Sequence, residues 1–277
     1  MKKIITFLTI GILSAHLSAQ NLPQTSPSST LKQTVGLTDF TVEYSRPSVK
    51  GRTIFGELVP FDKVWRLGAN KCTQFTVSTE VTIAGETLKA GTYSMFATPS
   101  KSGDWTVVFN SNTEQWGAGE YDAKKNLITA KVKAVKNTFT ESFMIGFNNF
   151  TSNSGAITIQ WENLKIDIPF KVNTTQIAEQ NIKSAIEKGE KLGRVYYNSA
   201  DYYLKANDTK KASRYIEKSI DIEKTHRNLF LQANILNKMN KKDEAIKLAK
   251  QAAELAEKAD SKGWVNYINE TIEKWNK

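Results

Sequence analysis

Cysteine and histidine are almost missing from this chain of 277 residues. With Cys72 as the single cysteine, no intramolecular disulfide can form, and stability has to come from packed cores. Cys72 lies in the alternating segment 71–77, where a small buried side chain is the expected role. The two histidines are His16 and His226. So few imidazoles leave little from which to build a cysteine–histidine zinc site, a two-histidine iron site or a Ser-His-Asp triad in the β-rich region. No catalytic residue, metal ligand or cofactor is expected. His226 falls at a predicted helix boundary, where a surface or capping role is expected. After residue 19 no stretch is apolar enough to span a bilayer, so no integral membrane segment is expected beyond that point.

What is present at the N-terminus reads as a secretory signal peptide. Lys2 and Lys3 precede an apolar run over residues 4–13, and the small, polar segment 14–19 offers cleavage after Ala19. The run is about half of what a transmembrane helix requires. An exported protein, periplasmic or extracellular, is expected, with residues 20–30 as a flexible leader. The formal charge of +10 is spread as dispersed lysine and gathers in no dense basic stripe. An exported protein meets little nucleic acid, so no nucleic-acid partner is expected; weak attraction to anionic surfaces or acidic glycans and a plain solvated surface both fit.

Two hydrophobic periods divide the remainder. Over residues 31–172 the alternation is two, in short runs of Val, Ile, Thr, Phe and Trp separated by Gly, Asn, Asp and Ser. Strand-like runs cover 40–44, 74–77, 80–83, 92–96, 105–109, 127–135, 142–147, 156–161 and 164–172. Strands at that spacing, with no amphipathic helix between them, predict an antiparallel β-sandwich. Pro169 predicts an edge position or a bulge in the last strand. After a linker at 173–175 the period becomes 3.6, predicting an all-α region over 176–277. The fold class expected is therefore α+β multidomain.

The helical region repeats at an offset of 33 residues. Ala200 aligns with Ala233, Asn207 with Asn240, Ala212 with Ala245 and Ser219 with Ala252. Small residues at fixed positions let two helices approach closely. The pattern is similar to tetratricopeptide units, although the Trp, Gly and Pro positions of that motif are mostly missing. Trp264, Ile268, Ile272 and Trp275 predict a last helix that caps the stack. Such a tail implies a protein partner.

Residues 44–70 carry the densest chemistry. Arg46, Lys50, Arg52, Lys63 and Arg66 alternate with Phe55, Phe61 and Trp65, against only Glu57 and Asp62. Arginine forks match carboxylate, phosphate or sulfate, and tryptophan faces stack on sugars or aromatic groups. One reading is a pocket for a small anionic or carbohydrate ligand, held by Arg46, Arg52, Trp65, Arg66 and Asn70, with Trp116 from a second polar loop. The other is structural: Arg46 and Arg66 pair with acids such as Glu43 and Glu57 and fasten a demanding loop. Glu114, Glu120 and Asp122 raise a third possibility, a carboxylate-dependent glycan hydrolase, which needs two acids facing each other across a cleft. A fourth leaves the β region as a scaffold, with function only in the helical tail.

Residues 44–70, then 83–96 and then 105–117, resemble in order a family of secreted bacterial domains, domain of unknown function 2911, common among Bacteroidetes. The resemblance covers residues 28–172. It implies the domain boundaries and a helical tail of tetratricopeptide type behind the domain, and it implies no reaction and no ligand.

Overall fold

The computed structural model describes residues 22–277; the expected signal peptide lies outside the described residues. The chain divides into two compact units, one ending at Asn173 and one beginning at Thr174. No helix among the described residues is long and apolar enough to cross a membrane.

The first unit is one antiparallel sheet of nine strands. They are β1 (Ser28–Val35), β2 (Thr38–Ser45), β3 (Thr73–Val77), β4 (Val81–Ile83), β5 (Glu86–Leu88), β6 (Gly91–Thr98), β7 (Asp104–Asn110), β8 (Asn126–Asn148) and β9 (Ser154–Val172). Their spatial order is β1-β2-β3-β6-β7-β8-β9-β4-β5. The first part of β8 pairs with β7 and its later part with β9, with register shifts between Lys136 and Thr140 and between Thr140 and Met144. These bulges bend the sheet over itself, giving an open, roughly sandwich-like unit with one main core and a small separate cluster of Cys72, Phe96 and Val108.

Period-two alternation fills that core. In β2 Phe40, Val42 and Tyr44 point inward while Asp39 and Glu43 face water. Phe40 is fully buried and meets Phe75, Phe147 and Phe170 at ring separations of 5.8, 5.4 and 4.7 Å. Cys72 is buried, its Sγ 3.0 Å from Ser94 Oγ.

Two details differ from the sequence reading. The long strands β8 and β9 were each expected as two separate runs, because the bulges break the alternation that marks one strand. β9 is also an interior strand, between β8 and β4, and not an edge. Pro169 is accommodated because it lies beyond Ile166, the last residue in register with β8, and its carbonyl accepts from Ala84 N–H. Its missing N–H therefore removes no bond of that ladder.

The second unit is six helices: α1 (Thr174–Lys188), α2 (Leu192–Lys205), α3 (Thr209–Ile222), α4 (His226–Lys238), α5 (Lys242–Lys258) and α6 (Lys262–Asn276). The 33-residue offset holds at the level of single atoms. Ala200, Ala212, Ala233, Ala245 and Ala252 are all fully buried, where any larger side chain would force the helices apart. Asn207 and Asn240 both take the left-handed conformation, φ 61°, that ends α2 and α4, a place asparagine tolerates better than most residues. Asp208 caps α3 by accepting from Lys211 N–H. Thr225 and Asn228 form a reciprocal capping box at the start of α4. Trp264, Ile268, Ile272 and Trp275 of α6 close the last core layer.

His226 is half-buried and is not the cap of α4, a place taken by Thr225. It is the first residue of α4, packs edge-on against Trp264 at 5.4 Å, and buries its Nε2 without a partner. Burial, with the neighbouring Arg227 guanidinium, pushes its imidazole below the usual value of 6.5. The folded chain therefore resists a proton that the unfolded chain accepts. Its contribution to stability is complete above pH 6.5 and is lost as pH falls from there through the lowered folded value. Glu179, held below the usual carboxylate range by Lys211, titrates at lower pH and stays outside this window. Thermal midpoints at about pH 7.5 and pH 5.5 should fall more for the wild type than for His226→Phe; equal falls would contradict this account.

Candidate functional site

The segment between β2 and β3 is fastened from several sides. Val49, Ile54, Val59 and Leu67 reach into the core. Residues 47–49 run beside β8, with Val49 N–H donating to Glu141 O at 2.8 Å and Phe143 N–H to Pro47 O at 2.8 Å. Trp65 exchanges both backbone bonds with Ala97 of β6, at 2.7 and 2.8 Å. Lys50, Asp62, Leu67 and Asn70 hold φ between 49° and 58°, an unusual run of left-handed non-glycine residues; Leu67 is fixed by the core, and Lys50, Asp62 and Asn70 by hydrogen bonds to Glu141 Oε1, Pro99 O and Gln24 Oε1.

This scaffold surrounds a cavity of about 370 Å³. Its floor is tryptophan. Trp65 and Trp161 stack at 5.7 Å and 19° between planes, and Trp65 Nε1–H donates to Gly68 O at 3.2 Å. Lys50, Arg52 and Arg66 border the cavity, and no Asp or Glu lines it. Thr25 and Ser26 of the leader form part of its wall.

The structure sorts the six residues expected at a ligand site. Arg52, Trp65 and Arg66 border the cavity. Arg52 donates its Nε–H to Val49 O at 2.9 Å and an Nη2–H to Ser48 O at 2.5 Å, which fixes its fork along the loop. Arg66 differs, because its Nε is shut off from solvent with no hydrogen-bond partner. Arg46 does not line the cavity; its Nε–H donates to Phe143 O at 3.0 Å and its backbone N–H to Pro27 O at 2.9 Å. Asn70 is occupied too, its Nδ2 donating to Gln24 Oε1, Ser26 O and Ser45 Oγ at 2.6, 3.2 and 3.1 Å. It ties the leader down beside the cavity. Trp116 is 67% exposed and outside the lining, yet its neighbour Gly117 lies against Arg66: a Cβ there would be 3.3 Å from Arg66 Nη1.

The arginines do not form the acidic pairs that the structural reading required. Among the described residues, Arg46, Arg52 and Arg66 have no ion pair, and neither Glu43 nor Glu57 takes part in one. The loop is held instead by buried aliphatic side chains and by arginine–carbonyl hydrogen bonds, which leaves the positive charge unneutralised by protein.

Sequence reasoning placed Lys50 in the basic cluster without counting it among the ligand residues, and missed Trp161 as the support behind Trp65. Trp161 sits in an inward-facing run of β9 that reads only as core. Nothing in the local sequence tells that one edge of its ring borders a cavity.

The carboxylates of the second loop give a hydrolase no support. Glu114 is 83% exposed at the side chain and pairs with Lys71 at 3.7 Å. Asp122 caps the short 3-10 turn Ala123–Lys125 by accepting from Lys124 N–H. Neither they nor Glu120 line the cavity.

In the helical unit, Arg194, Tyr197 and Asn198 of α2 and Arg227 and Asn228 of α4 line a groove of about 480 Å³, with Glu223 at its side. Burial and Asp201 push the Tyr197 hydroxyl above its usual value, with Arg227 and Lys205 pulling against them. Of the other tyrosines at helical spacing, Tyr203 is core: it is buried and stacks on Tyr215 at 5.5 Å.

Residues 193–226 and 226–258 each match the tetratricopeptide repeat, the two pairs α2–α3 and α4–α5. Neither the search of curated proteins nor that of solved structures found a match. Residues 26–170, more than half of the chain and nearly the whole β unit, match the family described as protein of unknown function (DUF2911), and the chain therefore belongs to that family.

Proposed function

We propose that this is an exported, non-catalytic binding protein, periplasmic or extracellular, whose β unit retains a small anionic or carbohydrate ligand and whose tetratricopeptide tail engages a protein partner. The observation that carries the reading is the cavity between Trp65, Trp161 and Arg66. It combines a rigid aromatic floor with three cations and no lining carboxylate. Such a site holds a ligand by stacking and by charge. Arg66 Nε is buried without a hydrogen-bond partner, which costs stability, so a binding role accounts for the retention of this arginine better than a purely structural one does.

For the tail, the groove beside Arg194, Tyr197 and Arg227 is the surface we assign to the partner. The test addresses the cavity. The full chain, a chain lacking residues 174–277, and Ser48→Trp, which fills the cavity, are compared by thermal shift against small organic anions and simple glycosides. A midpoint raised by a ligand in the first two proteins and not in Ser48→Trp is expected. Equal shifts in Ser48→Trp, or no shift in any protein, would overturn the cavity assignment.

A further inference from the structure

The charged side chains that line the cavity of the β unit are all hydrogen-bond donors, and its only side-chain acceptors are the hydroxyls of Thr25, Ser26 and Ser48. Its lining side chains include Lys50, Arg52 and Arg66 and no Asp, Glu, Asn or Gln. Its acceptors are largely engaged already. Ser26 O accepts from Asn70 Nδ2 at 3.2 Å, Ser48 O from Arg52 Nη2 at 2.5 Å, and Gly68 O from Trp65 Nε1 at 3.2 Å. Pro47 O accepts from Phe143 N–H at 2.8 Å and Val59 O from Gly56 N–H at 2.9 Å. The hydroxyl of Ser48 is shared with Ser142 at 3.3 Å. Against this stand Lys50 and the Arg66 guanidinium, which border the cavity with no ion pair among the described residues.

Such an inventory selects the ligand. A neutral sugar entering the site brings several hydroxyl protons, each of which needs an acceptor once it leaves water. The site offers few. A carboxylate, phosphate or sulfate brings acceptors only, and matches the arginine fork with charge-assisted bonds. The half-buried Trp65 ring, backed by the buried Trp161, supplies area for a planar or ring-shaped body attached to that group. We infer that the cavity binds an organic oxyanion, a carboxylate, phosphate or sulfate carried on a flat ring, with Arg66 as its anchor, and that it discriminates against neutral glycans. This inference rests on the cavity being a ligand site and narrows its ligand to one of the two classes.

The test uses the full chain and titration calorimetry with phenyl sulfate, phenyl phosphate and benzoate, beside neutral phenyl β-glucoside. At least one anion should bind at least about tenfold tighter than the glucoside, and the three anions rank the oxyanion itself. Arg66→Met should weaken that anion by about 10- to 100-fold and leave the glucoside unchanged. Lys50→Met, a substitution at an exposed residue, should weaken it by a smaller factor, and it provides the reading if Arg66→Met does not fold. A glucoside that binds as tightly as the anions overturns the inference and leaves the ligand cavity standing. So does an anion affinity unchanged by either substitution. Binding of none of the four probes overturns both.

Discussion

Replacing Trp161 with alanine is expected to cost the β unit about 3–5 kcal/mol and to lower its thermal midpoint by about 10 °C or more. The side chain is 2% exposed, so nearly all of its apolar surface returns to water or to a void when it is truncated. Its ring stacks on Trp65 and meets Phe143 edge-on at 5.7 Å, and Phe55 lies edge-on at 6.3 Å. Its Nε1–H donates to Glu141 O at 3.3 Å, on the same stretch of β8 that pairs with residues 47–49. The loss therefore spreads from packing to the anchoring of the cavity wall. Trp161→Phe keeps a ring in place and should recover much of the difference. Denaturant unfolding followed by fluorescence and by far-ultraviolet circular dichroism measures both. A loss under about 1 kcal/mol would mean that the site collapses without strain and that the floor is less rigid than described.

Gly68→Ala is the second large effect, expected at about 3 kcal/mol although it adds one methyl group. Gly68 has φ 136°, a conformation that side chains rarely adopt, and a Cβ there would stand 2.7 Å from Ser45 O. The obstacle is backbone, which cannot swing aside as a flexible side-chain end would. Conformational strain of about 1–3 kcal/mol adds to the cost of overpacking. Moving residue 68 also displaces the carbonyl that holds Trp65 Nε1–H, so ligand affinity should fall with stability. Gly119→Ala is the control, because nothing lies within 4 Å of its Cβ position and its φ is not positive; it should stay within about 0.5 kcal/mol. Equal behaviour of the two variants in thermal unfolding would show that the close approach at Gly68 can relax.

Much of the architecture was legible in the sequence because it depends on period. Inward and outward residues of β2 alternate as written, and Ala200 with Ala233 or Asn207 with Asn240 occupy equivalent places in successive helix pairs. A periodic pattern survives translation into structure because each residue needs only its neighbours three, four or two positions away. Features that interrupt the period were not legible. The bulges around Thr140 made one strand look like two, and Pro169 suggested an edge because the sequence does not show where the pairing with β8 ends.

The candidate site was half legible for the same reason. Loop composition pointed to Arg52, Trp65 and Arg66, which the structure brings together. Composition cannot separate an arginine spent on a carbonyl, as Arg46 is on Phe143, from one left with a free donor, as Arg66 is. Nor can it place Trp161, whose nearness to Trp65 depends on the bending of β8 and β9. Asn70 looked like a ligand group and is a clasp for residues 24–26; only long-range pairing reveals that.

The most direct measurement is a crystal structure of the full chain soaked with the tightest-binding aromatic oxyanion. Oxygen atoms of the ligand within hydrogen-bond reach of the Arg66 guanidinium, with its ring against Trp65, are the predicted result. A ligand seated elsewhere, with the cavity occupied by solvent and Arg66 turned away, would contradict the account.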